Sequence, residues 1–310
     1  PSYKKCRHHE CAGRDRDKRS DAVNAIIGLV VTMVMVFGGY ILAGGKMSII
    51  LKSLPFEMMM IGGAATGAVV AANDMATIKH TAGDLGAAFA GPKWKKGDYS
   101  DLLCMMHELL SILKDNPVDI EAHIEAPNDS AIFQKYPKIL KDHEAIEMIC
   151  DTIRSMIMNF DNVHQVEELL EKHLESLLEE RLHGSHALQS MADALPALGI
   201  VAAVLGVIKT MASIDKPPEV LGGMIGGALV GTSLGVFLAY GAVGPFAAKV
   251  SHTRKEEHFF YSMIGEVLVS SLHKNPINIC LEVARRHAPA RVRPSFDEVE
   301  EAGKGLRQAA

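Results

Sequence analysis

Four apolar runs punctuate this chain, and between them apolar and charged positions alternate at helical spacing. An α-helix needs about 20 residues to cross a bilayer. The first run, roughly Ala22 to Ala43, carries no charge. The second starts near Pro55 and stops before Asn73-Asp74. Ser53, Pro55 and Glu57 read as its helix start, with Pro in the first turn and a carboxylate near the positive end of the helix dipole. The third runs from about Leu195 to Ala212 and the fourth from about Leu221 to Ala248.

The long polar interruption from about Asn73 to Ala192 is itself helical in pattern. Leu102, Leu103, Met106, Leu109, Leu110 and Leu113 recur at helical spacing, as do Ile146, Ile149, Ile153 and Ile157. Val163 to Arg181 predicts an amphipathic helix with Leu169, Leu170, Leu174, Leu177 and Leu178 on its apolar side. Asp115-Asn116-Pro117 and Ala126 to Asp129 predict loops. After the fourth run, His258 to Leu272 and Asn275 to His287 predict two more helices, and Val292 to Ala310 a polar, frayed tail.

Composition supports a membrane assignment. Of the 310 residues, 22% are charged and 48% hydrophobic, and mean hydropathy is positive at +0.12. The 27 Gly and 16 Met, with only 5% aromatics, suit membrane helices that pack closely. A net charge of -5 weighs against a nucleic-acid binder. The five Cys are scattered and odd in number, suggesting reduced thiols and no disulfide framework. Residues 1–20 stand apart: charged, without apolar period, and expected to be a disordered or appended extension. Cys6, His8, His9 and Cys11 match no zinc spacing.

Basic residues set the topology. Lys4, Lys5, Arg7, Arg14, Arg16, Lys18 and Arg19 precede the first run; Lys93, Lys95 and Lys96 follow the second; Lys249, Arg254 and Lys255 follow the fourth. The positive-inside rule then places both termini and the long middle segment in the cytoplasm. The expectation is an all-α membrane protein with four transmembrane helices, a large helical cytoplasmic domain between spans 2 and 3, and a helical C-terminal cytoplasmic tail. Its divisions are 1–20 (extension), 21–72 (spans 1 and 2), 73–191 (cytoplasmic domain), 192–249 (spans 3 and 4) and 250–310 (helices and tail).

The spans hold few chemical groups. Glu57 is expected at a helix end, Asp74, Asp193, Asp215 and Glu219 lie at or beyond boundaries, and Lys209 sits near an outer end where it can snorkel. Ion relays through membranes use carboxylates or His facing the bundle interior. A chain with this interior needs another chain to bring the acid. Gly223, Gly227, Gly231 and Gly235 recur every four residues. That smooth ridge fits either a foreign helix or another span of the same chain. Thr232 beside it can bond a backbone carbonyl or an ion. Pro196 begins the third span and Pro245 sits late in the fourth; ordinary kinks and a coupling hinge both fit.

Several segments resemble the MotA family of flagellar stator subunits. They are VFGGYILAGG (Val36 to Gly45), SDLL (Ser100 to Leu103), AIFQKYPKIL (Ala131 to Leu140), DALPALGIVAAVLGV (Asp193 to Val207), ALVGTSLGVFLAYGAVGP (Ala228 to Pro245) and RPSFDEVEE (Arg293 to Glu301). The resemblance implies a bacterial inner-membrane protein forming a ring, five copies around two copies of a MotB-like partner. That partner carries the membrane Asp, and the ring's cytoplasmic face engages the rotor protein FliG. It further implies that Pro196 and Pro245 are functional prolines, with Asp193 the acid preceding the first. Glu121 matches the acidic rotor contact, and Lys114 stands where the family usually has Arg. Sodium-driven relatives carry Thr in both facing spans; here Thr232 is present but the span-three position is Ala203, so H+ is the expected ion and no cofactor is expected. An ExbB/TolQ-like energiser of outer-membrane processes, with three spans and an outside N-terminus, is the nearest alternative. A self-contained transporter is a second. No P-loop, metal pair or nucleophile elbow suggests an enzyme.

Overall fold

The computed structural model describes residues 14–158 and 162–299, with side chains from Ile26 onward except at 85 and 87–90. The Cys6, His8, His9 and Cys11 cluster and residues 300–310 of the tail lie outside the described residues. Among the described residues the chain is helical, with no strand. In order come α1 (Arg14–Leu42), α2 (Met47–Ala72), α3 (Met75–Ala90), α4 (Lys96–Asp115), α5 (Pro117–Glu125), a 3-10 turn (Phe133–Lys135), α6 (Pro137–Leu140) and α7 (His143–Met158). There follow α8 (Val163–Met211), α9 (Pro218–Leu238), a π-helical turn (Ala239–Val243), α10 (Gly244–Leu272) and α11 (Ile277–His287). Two compact units result: one runs up to Gly91 and includes Arg181–Thr253, the other takes Pro92–Glu180 and the residues from Arg254 on.

Among the described residues three helical stretches are long and apolar enough to cross a membrane: Met47–Ala72, Val163–Met211 and Pro218–Leu272. A fourth, Ile26–Leu42, is apolar but shorter. Their outer faces carry bare hydrophobic side chains, among them Val34, Met35, Phe56, Met59, Ile200 and Ile208. Such helices are stable in hydrocarbon, where every backbone polar group is satisfied within the helix.

The second span differs from its sequence expectation. α1 ends at a tight turn in which Gly44, at φ 83, occupies the left-handed region that a side chain would strain. The Gly44 N–H donates to the Ile41 carbonyl and that of Gly45 to Tyr40, both at 2.9 Å. With the turn finished so early, α2 starts at Met47, and Pro55 lies inside it rather than at its start. The carboxylate of Glu57 is therefore not an end-of-helix group. Pro196 likewise lies inside the long α8 instead of opening a span. Membrane helices tolerate such prolines because neighbouring helices compensate for the lost bond.

The membrane-type unit packs through its smallest residues. α9 buries Gly227, Ala228, Gly231, Leu234 and Gly235, a single face at helical spacing. Ile61, Ala65, Leu195, Ala202, Leu234 and Ala239 form its core. Phe37 of α1 meets Phe237 of α9 edge-on at 5.5 Å.

The other unit has a conventional core built on α4, α7, α10 and α11. The heptad-like positions expected of α4, Leu102 to Leu113, are all buried, as are Ile149 and Ile153 of α7. Fully burying one such side chain stabilises by about 1.5–3 kcal/mol. Trp94, the single tryptophan, stacks on Phe260 with ring centroids 3.8 Å apart. Asp142 is buried; its Oδ1 accepts the Ala145 N–H at 2.9 Å to cap α7, Lys93 pairs with its Oδ2, and the Tyr261 hydroxyl donates to Oδ2 at 3.1 Å. On the polar part of α8, Val166, Leu170 and Leu177 are buried, whereas Leu169 points outward. The apolar stripe is thus narrower than the leucine count suggested, because 3.6 residues per turn carry Leu169 off the face.

Candidate functional site

Asp193, Pro196 and Ala203 sit on α8, Thr232 on α9 and Pro245 on α10, and α8 and α9 approach each other through glycine. A methyl placed on Gly235 would lie 2.6 Å from the Leu195 carbonyl oxygen and 3.0 Å from Gly199 Cα. One on Gly199 would meet the Gly231 carbonyl at 2.9 Å and Thr232 Cα at 3.4 Å, and Gly206 similarly abuts Ala228. The backbones are in direct contact, the arrangement small-residue membrane interfaces permit.

The glycine ridge is therefore used within the chain. Gly235 faces α8, while Gly227 and Gly231 face α2, where Ser53 and Glu57 fill the notches they leave. Only Gly223 has nothing within 4 Å. Of the two readings of the ridge, packing against the chain's own spans accounts for three of its four glycines.

Thr232 and Ala203 are both half-buried. The hydroxyls of Thr32, Thr66 and Thr210 donate to carbonyls four residues back at 2.8–2.9 Å. Among the described residues Thr232 shows no such bond, which leaves its hydroxyl hydrogen uncommitted. Asp193 is exposed on α8 and accepts a bond from Gln189 Nε2 at 2.9 Å. Pro245 is the second residue of α10, one residue beyond the π-helical turn. Lacking an N–H, it cannot pair the Gly241 carbonyl, and the wider turn just upstream takes up the resulting mismatch.

Sequence reasoning misplaced one group. Glu57 is 5% exposed, inside α2, and shares its buried face with Ile61 and Ala65. Its Oε2 is fully enclosed without a hydrogen-bond partner. A methyl on Gly231 would lie 2.5 Å from that oxygen and 3.4 Å from the Ala202 methyl. The expectation that the spans carry no acid of their own is corrected: this one lies within the apolar helix. The signal was the unbroken helical run from Met47, which makes Glu57 interior once the Gly44 turn is recognised.

The candidate rotor-contact residues belong to the other unit. Lys114 stands exposed in the last turn of α4 and Glu121 exposed on α5. Asn116 joins the two helices, its side chain accepting the Val118 N–H at 3.2 Å with Pro117 at the first helical position. Ile120 and Ile124 are buried and hold α5 down, turning Glu121 outward. Nearby, Arg154 pairs with Glu125 at 2.9 Å and Asp151 at 2.5 Å. Among the described residues no ion pair involves Lys114 or Glu121, and no group of His, Cys, Asp and Glu could hold a metal.

Apolar helices joined through glycine, in a chain that also carries a polar helical unit, define an all-helical protein with segments able to span a membrane. Residues 142–262 match the family model described as "MotA/TolQ/ExbB proton channel family", and residues 26–117 match "Motility protein A N-terminal". The chain belongs to the motility protein A family. It is 34% identical over 283 residues to Motility protein A of Salmonella typhimurium, covering 91% of this chain and 95% of the relative. Identity to Motility protein A of Escherichia coli is also 34%, over 89% of this chain and 93% of that protein. The figure for Chemotaxis protein LafT of Vibrio parahaemolyticus is 34%, over 88% and 96%. The fold is shared with the C. jejuni MotAB structure, at 17% identity and TM-score 0.66 over 86% of this chain and 96% of that one. The flagellar MotAB stator complex from Bacillus subtilis gives 21% and 0.63 over 87% and 98%.

Proposed function

We propose that the chain is the ring-forming subunit of a flagellar stator, coupling proton flow to rotation. Five copies surround two copies of a MotB-like partner that supplies a membrane Asp. The four apolar helices cross the bacterial inner membrane with both termini cytoplasmic, following the basic residues that flank them. Protons moving past the partner's Asp turn the ring, and the face carrying Lys114 and Glu121 engages FliG. Supporting this most directly is the α8–α9 pair, whose glycine contacts fix Thr232 with its hydroxyl unengaged beside them. Such a pair presents one hydroxyl whose hydrogen is not committed to its own backbone, free to donate as well as to accept. One hydroxyl, with Ala203 on the facing helix, supplies fewer oxygens than a sodium ion wants, which favours H+.

Purifying the chain with its membrane partners and imaging the particle tests the assembly. Five subunits enclosing two foreign helices are expected; a lone chain, or a sealed centre, overturns it. Swimming speed should follow proton-motive force and not sodium concentration, and dependence on sodium at constant proton-motive force removes the ion assignment.

A further inference from the structure

We propose that Glu57 is a proton-binding carboxyl of this chain, set where α2 meets α9 and α8, and that it serves the ion path alongside the partner's acid. The inference rests on the stator reading above and adds a second acid to it. α2 buries Glu57, Ile61 and Ala65 on one face, so the carboxylate occupies a position that geometry assigns to the core. Its Oε2 is enclosed and unpartnered. The notch it fills is left by Gly231, and the Ala202 methyl lies 3.4 Å from where a methyl on that glycine would stand. One turn earlier, Ser53 Oγ occupies the matching notch at Gly227, 2.6 Å from where a methyl would stand. Gly231 immediately precedes Thr232, so the carboxyl abuts the helix that carries the candidate ion-path hydroxyl.

No charge on the neighbouring elements is set against it. Lys52 on α2 is exposed; so are Glu219 on α9, Asp193 and Lys209 on α8, and Lys79 and His80 on α3. Asp84 of α3 lies against Gly184 instead. Among the described residues none of these pairs with Glu57. A carboxylate held as a permanent charge in such a place is expensive, and a carboxylate used only as a wedge would be as well served by Gln or Leu. A group that takes a proton and returns it needs enclosure without a fixed counter-charge, which is what the site provides. The step is a simple exchange: the carboxylate accepts a proton arriving through the membrane to become the acid, then gives the same proton up, and no electrons move.

The test uses the complete stator complex, with its partner chain, in lipid bilayers. Infrared difference spectra on stepping the pH should show a carboxyl C=O stretch that disappears in Glu57→Gln and persists, shifted, in Glu57→Asp. Proton flux should fall several-fold in Glu57→Gln and recover in part in Glu57→Asp. Identical carboxyl bands and identical flux in Glu57→Gln overturn the proposal. Should Glu57→Gln fail to assemble, Gly231→Ala leaves the carboxyl in place and crowds its Oε2. A shifted band supports the site and an unmoved one overturns it. An Asn variant of the partner's membrane Asp separates the two claims. If it abolishes flux while Glu57→Gln does nothing, the stator reading stands without Glu57. If the unmodified complex conducts no protons, the stator reading falls, and the infrared band still decides whether Glu57 binds a proton.

Discussion

Gly235 and Gly223 belong to the same sequence repeat and have opposite surroundings. A methyl on Gly235 would collide with the Leu195 carbonyl and the Gly199 backbone, neither of which can rotate away, whereas Gly223 is open. Gly235→Ala should destabilise the helix pair by about 1–3 kcal/mol, read as a lower melting temperature in detergent and loss of swimming. Gly223→Ala should leave the fold unchanged. Glu282 offers a pH test in the other unit. Bonds from Arg285 at 2.7 and 2.9 Å, reinforced by Arg286, hold its carboxyl well below the usual range, at about 2. A depressed value means the contribution is present above its ordinary value of 4.5 and is lost as pH falls toward about 2. Glu282→Gln should cost about 1 kcal/mol at neutral pH, and thermal melts of variant and parent should converge near pH 2. Burial was legible on α4, where Leu102, Leu103, Met106, Leu109, Leu110 and Leu113 are all inside, and less so on α8, where Leu169 is not. Glu57 was not, since its placement depended on where a helix began, and helix starts are weakly marked when no side chain caps them, as at Lys46.

Elements were legible where apolar period and turn residues agreed. The Asn116-Pro117 junction and the turn after Ala126 fell where Asn, Pro and Asp cluster. What the pattern hid was continuity. α8 runs unbroken from amphipathic to wholly apolar sequence, past Pro196, because no Gly or cap interrupts that stretch strongly enough to end it. The π-helical turn before Pro245 was equally invisible, as a single Gly in AYGAV is common in apolar helices and does not mark a wider turn. Replacing Pro245 with Ala restores an N–H for the Gly241 carbonyl and should let the turn relax to an α-helix. Thermal stability should hold or rise while swimming falls several-fold. A variant swimming at parental speed would remove Pro245 from coupling.

For the whole molecule, the α4–α5 corner offers a test of rotor contact that spares the membrane unit. Glu121 is exposed and α5 is anchored by Ile120 and Ile124, so Glu121→Lys should leave expression, membrane insertion and partner co-purification intact. Motility should drop severely, and unchanged swimming would discard the residue. The chain-wide division between apolar and polar parts could be read from sequence, but the membership of each unit could not, since both are discontinuous in sequence and two of the boundaries fall inside helices. The stacked Trp94–Phe260 pair has a practical corollary. With one indole per chain, buried in the polar unit, emission excited selectively at tryptophan reports on that unit alone, whereas backbone dichroism reports on both. A chaotrope titration followed by emission and by far-ultraviolet dichroism would therefore resolve whether the two parts melt together or one after the other.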